Sequence, residues 1–238
     1  MFIPTFCSTS ARWLLAPGTA AAWKMALTTA ALFLGFLPTA HAQIYVDADN
    51  TSGTQDGTSW ATAYSSFRTA LLNADAGDAI WVADGTYPTG ATRDNSFTFT
   101  GAKDGLQIYG GFQGLSRPGG GETTLDQRNP DAYEAVLTGD VDGDGTLGGN
   151  AYHVFVLDGT NDPITPATVI DGVVITGGNA SGNSFPINAG GGLLCRGEGG
   201  LCNPTIVGVT FRGNRAGFGG AMFNEGEHGG QSRPMIVN

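Results

Sequence analysis

Apolar residues along this chain come in short runs, each closed by glycine. Ala79-Ile80-Trp81-Val82 leads to Gly85, Leu106-Gln107-Ile108-Tyr109 to Gly110, and Ala135-Val136-Leu137 to Gly139. The rhythm continues with Val154-Phe155-Val156-Leu157 before Gly159, Val173-Val174-Ile175 before Gly177, and Val209-Thr210-Phe211 before Gly213. Short β-type runs with turn residues between them and no interleaved helices predict an all-β fold. Ile44-Tyr45-Val46 reads as an earlier strand, followed by a polar loop from Asp47 to Thr58. Between Ser59 and Asp78 the period changes: Tyr64, Phe67, Ala70, Leu71 and Ala74 recur at helical steps, which predicts one amphipathic helix ended by Gly77.

The spacing between runs is too long for simple hairpins and points to a repeat. Val173 and Ile175 match Val209 and Phe211, and Pro204-Thr205-Ile206-Val207 matches Pro234-Met235-Ile236-Val237. Gly191-Gly192-Leu193-Leu194 matches Gly219-Gly220-Ala221-Met222. The segments recur in one order, and length differences fall in the glycine-rich stretches between them. A parallel β-solenoid behaves this way, because its turns vary while its strands stay in register. Inward residues of successive coils would stack, glycine would serve the corners, and Asn179 and Asn214 would ladder their amides beside those corners. A β-sandwich shares the short strands and glycine turns, but the ordered repeat favours the solenoid.

Charge and leader sequence change the picture in one respect. Arg12 and Lys24 precede an apolar run, Met25 to Leu37, and then Ala40-His41-Ala42, a small-residue cleavage pattern. Cleavage is expected between Ala42 and Gln43, with Met25 as an alternative start. The run is shorter than the roughly 20 residues a bilayer span needs, so export is expected, with no transmembrane helix in the mature part. The whole chain carries 11 basic and 21 acidic residues, and Arg12 and Lys24 leave with the leader. That acidity disfavours nucleic acid as a partner. The organisation expected is a signal peptide over 1–42, a strand and capping helix over 43–78, and coils over 79–238. The chain stops within a strand whose earlier copy continues for a full coil, so a truncated solenoid is expected.

Phe211-Arg212-Gly213-Asn214 fits FxxN, and Gly219-Gly220-Ala221-Met222 fits GGA followed by an aliphatic residue. These tetrapeptides resemble the repeats of polymorphic outer-membrane proteins, with degenerate earlier copies at Thr176-Gly177-Gly178-Asn179 and Gly191-Gly192-Leu193-Leu194. Ile44-Tyr45-Val46-Asp47, Ala79 to Tyr87, Ile108 to Phe112 and Thr138 to Asp142 are similar to the N-terminal part of secreted bacterial right-handed parallel β-helix proteins of the pectin-lyase-like superfamily. The resemblance implies a right-handed β-helix with a capping helix. It leaves activity open, because the fold hosts lyases, hydrolases and adhesins alike.

The sharpest chemical feature is Asp140-Val141-Asp142-Gly143-Asp144-Gly145. Carboxylates at positions 1, 3 and 5 with glycine at 6 match the first half of a calcium loop. Asp140, Asp142, Asp144 and the Thr146 carbonyl are the candidate ligands. Ala151 stands where the bidentate acid belongs, so the alternative is an acidic turn. A calcium-assisted polysaccharide lyase would need a basic residue beside the sugar, and Arg212 and Arg215 are the candidates. Surface arginines are the commoner meaning, and the polygalacturonase elements NTD, DD, GHG and RIK are not found. Glu225 and Glu227 alternate in direction rather than pairing across a bond, and His153 reads as a strand-start residue. Trp60, Trp81, Tyr109 and Phe112 would make a carbohydrate-stacking face if exposed, but Trp81 sits in an apolar run and reads as core or cap packing, as does Trp60 at the helix start. Cys195 and Cys202 read as one local disulfide, or as buried thiols. The balance leans against an enzyme and toward a structural or adhesive module, with a calcium-assisted lyase or other carbohydrate-active enzyme, or a glycan-binding module, as the alternative. Its partner would be an extracellular polysaccharide or surface protein.

Overall fold

The computed structural model describes residues 41–115 and 120–238. The expected signal peptide therefore lies outside the described residues except at its end. There the exposed Ala42 donates from its amide to Asp78 Oδ1 at 2.7 Å, and Gln43 opens the first strand. Ala40–Asn238 forms one compact unit. The fold is mostly β, with parallel sheets and few helices. Among the described residues no helix is long and apolar enough to cross a membrane.

Three sheets carry the structure. The first is ordered Gln43–Val46, Ala79–Ala83, Gln107–Phe112, Val169–Asp171, Thr205–Val207, Met235–Val237. The second runs Gly85–Pro88, Ala135–Thr138, Val173–Thr176, Thr210–Arg212. The third runs Phe97–Thr100, Phe155–Asp158, Leu193–Arg196, Met222–Glu225. From Ala79 onward the chain visits first, second and third sheet in that order and then begins again. Pairing within each sheet is parallel. Parallel neighbours need a long crossover, and here the crossover consists of strands of the other two sheets.

Side-chain register explains why the short apolar runs suffice. In the first sheet Ile44, Ile80, Ile108, Ile170, Ile206 and Ile236 are successive partners, so one interior row is isoleucine from end to end. The second sheet aligns Tyr87, Leu137, Ile175 and Phe211, the last pair being the one the repeat predicts. The third aligns Phe97, Phe155, Leu193 and Met222. Because strand side chains alternate with period 2, these rows point into one shared core and their neighbours point out. β-branched isoleucine suits a stacked pleated row.

Three sequence expectations are corrected. The helix is shorter than predicted: Trp60–Thr62 is a 3-10 turn and the α-helix is Phe67–Asn73, capped by the Ser66 hydroxyl, which accepts from the Thr69 amide. Tyr64 is extended because its backbone bonds Tyr45 and Asp47, making an isolated parallel bridge to Val46. Gly77, at φ 81°, serves the turn after the helix rather than its cap, which is Ala74. The helix buries Phe67, Ala70 and Leu71, and Phe67 meets Phe97 edge-on at 4.8 Å between centroids.

The glycine-pair match is also one residue out. Leu193, not Leu194, partners Met222. A slip of one exchanges the two faces of a strand, and Leu193 and Cys195 are the residues that reach the core. Finally, Asn179 and Asn214 do not ladder, since Asn179 partners Arg215. Instead Asn214 spans the turn that follows the strand Val173–Thr176. Its Nδ2 donates to the Ile175 carbonyl at 2.8 Å, and its Oδ1 accepts from the Gly178 amide at 2.9 Å. Asn179 donates to the Leu147 carbonyl at 2.6 Å.

Candidate functional site

The acidic turn leaves the second sheet after Thr138 and is held at its base. Ala151 N donates to the Gly139 carbonyl at 2.8 Å, and Asn150 Nδ2 to the Gly177 carbonyl at 2.7 Å. Within it Asp140, Asp142 and Asp144 converge, each offering an oxygen within 4.8 Å of the others. The turn's own amides use part of that capacity. Asp140 accepts from Gly143 and Gly145 at 2.9 and 3.0 Å, and Asp144 accepts from Thr146 N at 2.7 Å. Thr146 also donates its hydroxyl to Asp144 Oδ2 at 3.1 Å. Three hard oxygen donors on an exposed turn are chemically suited to a divalent cation such as calcium.

The two candidate arginines part company. Arg212 is held by Glu134 through two nitrogens, at 3.1 and 2.9 Å, on the exposed surface. That hydrogen-bonded ion pair raises the guanidinium pKa further. Arg215 is exposed in the short strand Arg215–Ala216. His153 is buried, with Nδ1 facing the Gly190 carbonyl at 2.9 Å, so that nitrogen carries the hydrogen. Burial lowers its pKa below the usual histidine range, against the opposing pull of the Gly190 and Ala189 backbone. It fastens the approach to the strand Phe155–Asp158.

The aromatics form a second core rather than a stacking face, in keeping with the apolar setting of Trp60 and Trp81. Trp60, Trp81 and Phe112 are buried on the outer side of the first sheet, with Trp81 and Phe112 stacked at 4.4 Å. The Trp60 indole donates to the Glu122 carbonyl at 2.9 Å. Tyr109 is half-buried, with Arg128 above its ring at 5.4 Å and the same guanidinium bonded to Asp171. Cys195 and Cys202 are joined by a disulfide, their Cα atoms 5.9 Å apart.

A site the pattern of strands did not indicate lies on the outer face of the third sheet. Val156, Leu194 and Phe223 are register partners there, and Asp158, Arg196 and Glu225 form the adjacent row. Arg196 binds Asp158, Glu198 and Glu225 at 3.2, 3.4 and 3.0 Å, a charge ladder across three strands. Beside it a cleft of about 400 Å³ is lined by Phe185, Asn188, Phe218, Phe223, Asn224 and Glu227, among others. Phe218 is 61 % exposed and Phe185 41 %, and the Phe185 and Phe223 rings sit 6.1 Å apart. Phe185 belongs to an irregular polar stretch without period, so no sequence signal marked it. The corrected glycine-pair register would have placed Phe223 beside Leu194.

No protein-family model matches the chain, nor does any curated protein or solved structure.

Proposed function

We propose that the chain is an exported right-handed parallel β-helix module of the pectin-lyase-like type. In this reading it is a rigid surface or secreted scaffold that presents loops to an extracellular polysaccharide or surface protein. The isoleucine row of the first sheet carries the reading: six partners, which from Ile80 onward are each one circuit of three sheets further along the chain, imply repeated coils around one interior. Right-handed crossovers between parallel strands of one sheet account for about 98 % of cases. The apolar run before Ala40-His41-Ala42 supports export.

The competing reading is a calcium-assisted lyase using Arg212 or Arg215. The full chain, mixed with pectate or alginate and calcium, is expected to generate no ultraviolet-absorbing unsaturated product while still adhering to a glycan or cell-surface panel. Product formation would replace the scaffold reading with the lyase.

Within the scaffold reading, calcium bound at Asp140, Asp142 and Asp144 stiffens the acidic turn. Extracellular sites of this kind have dissociation constants of roughly 10⁻⁴ to 10⁻³ M. A tenfold excess of calcium over such a constant stabilises by about 1.4 kcal/mol, a rise of about 3–6 °C in melting temperature for a chain this size. Chelator is expected to reverse the rise and Asp142→Ala to abolish it. A melting curve indifferent to calcium makes the turn a plain surface feature.

A further inference from the structure

We propose that the cleft between Phe185, Phe218 and Phe223 binds an oligosaccharide of amino sugars. The inference rests on the adhesive reading above and names its partner class.

The wall chemistry supplies the reason. Small-ligand clefts combine apolar walls with a few polar groups that fix orientation. Phe185 and Phe218 expose ring area that solvent alone would not favour, and Phe223 forms the floor between them. A sugar ring matches such a surface, presenting C–H groups to an aromatic face and hydroxyls to the rim. At the rim the side chains of Asn188 and Asn224 make no hydrogen bond to the protein among the described residues, which leaves amide donors and acceptors for hydroxyls.

Charge selects the kind of sugar. Glu225 and Glu227 both line the cleft, with Asp158 and Glu198 on the adjoining ladder. Arg196 is the one guanidinium among them, and Asp158, Glu198 and Glu225 already share it. His228 is engaged with Glu198 at 2.9 Å. Glu227 keeps an exposed carboxylate with no side-chain partner among the described residues. A uronate would meet like charge, whereas the ammonium of a 2-amino sugar meets Glu227 and the rings of Phe218 and Phe223, whose faces attract cations. The Phe185 ring already has the Arg196 guanidinium 5.8 Å from its centroid.

Calorimetric titration of the full chain at mildly acidic pH tests this with three probes: a glucosamine tetramer, its N-acetylated form and a galacturonate tetramer. The glucosamine tetramer is expected to bind about tenfold more tightly than the acetylated one, the scale of one cation–π contact with partial desolvation. The uronate is expected not to bind. Phe218→Ala should weaken the glucosamine tetramer about tenfold, the scale of one aromatic contact, and leave the melting temperature unchanged because the ring is exposed. Glu227→Gln should reduce the preference for the free amine to the share the phenyl faces supply, while sparing the acetylated probe. Equal or tighter uronate binding, no binding of the glucosamine tetramer at millimolar concentration, or indifference to Phe218→Ala would overturn the inference. So would a concentration-dependent dimer abolished by Phe218→Ala, which would place a second copy of the chain in the cleft. A chain that binds other surface glycans but not glucosamine loses this inference and keeps the scaffold reading. Lyase product removes the scaffold reading instead.

Discussion

Replacing Ile170 with alanine in the full chain is expected to lower the free energy of unfolding by about 3–4 kcal/mol, seen as a shifted denaturant midpoint. Ile170 is fully buried, and its partners above and below are Ile108 and Ile206. Deleting its outer carbons leaves a void between two β-branched neighbours whose strands are pinned by parallel ladders on both sides, so the gap closes poorly. Ile236 occupies the same row but is 63 % exposed. There the same change should cost no more than about 0.5 kcal/mol, the usual range for surface positions. Ile108→Ala and Ile170→Ala should also fail to add, because neighbours that share one cavity couple. Equal costs at positions 170 and 236 would contradict the burial of Ile170 between Ile108 and Ile206.

Legibility in the sequence followed the physics of each part. The strands were visible because a row of buried partners demands β-branched and aromatic residues at fixed phase, and Val173, Ile175 and Phe211 meet that demand. Phe97–Thr100 and Gly85–Pro88 escaped notice, since each shows only two buried side chains or fewer within a polar surround. Tyr64 misled the helix reading because it lies at helical spacing from Phe67 while its backbone is committed to Tyr45. The Gly-Gly match slipped by one because glycine carries no side chain to report which face it serves. Only the burial of Leu193 against Phe155 settles the phase.

Sites were harder to read than strands for a related reason. The acidic turn is contiguous, so its carboxylates were legible as a group and converge as their spacing suggests. Trp60 and Trp81 were legible as packing residues from their apolar setting, but Phe112 was not legible as their partner, because the segment that covers them, around Glu122, is irregular. The cleft joins Phe185, Phe218 and Phe223 from an irregular loop, a turn and a strand. No spacing along the chain encodes that meeting. It arises only once parallel strands separated by loops of unequal length are paired.

Gly178→Ala is expected to be at least as severe as the loss at Ile170, about 4 kcal/mol or more, or to prevent folding altogether. A methyl group there would lie 1.8 Å from the Gly191 carbonyl oxygen, which is backbone and cannot rotate away. That carbonyl accepts from Val154 N at 3.1 Å, and the Gly178 amide is itself held by Asn214 Oδ1 at 2.9 Å. Relieving the overlap therefore disturbs contacts with the coils on both sides. Gly143→Ala separates this steric effect from the general difficulty of placing alanine where glycine stands. Gly143 has φ 72° with open space around its added carbon, so it should lose only the left-handed penalty of about 1–2 kcal/mol. Thermal and denaturant unfolding of the two variants side by side gives the comparison. If Gly178→Ala unfolds no earlier than Gly143→Ala, the chain does not pass as closely at this corner as the strand register requires. The tight bend that lets an apolar coil carry so many glycines would then need another explanation.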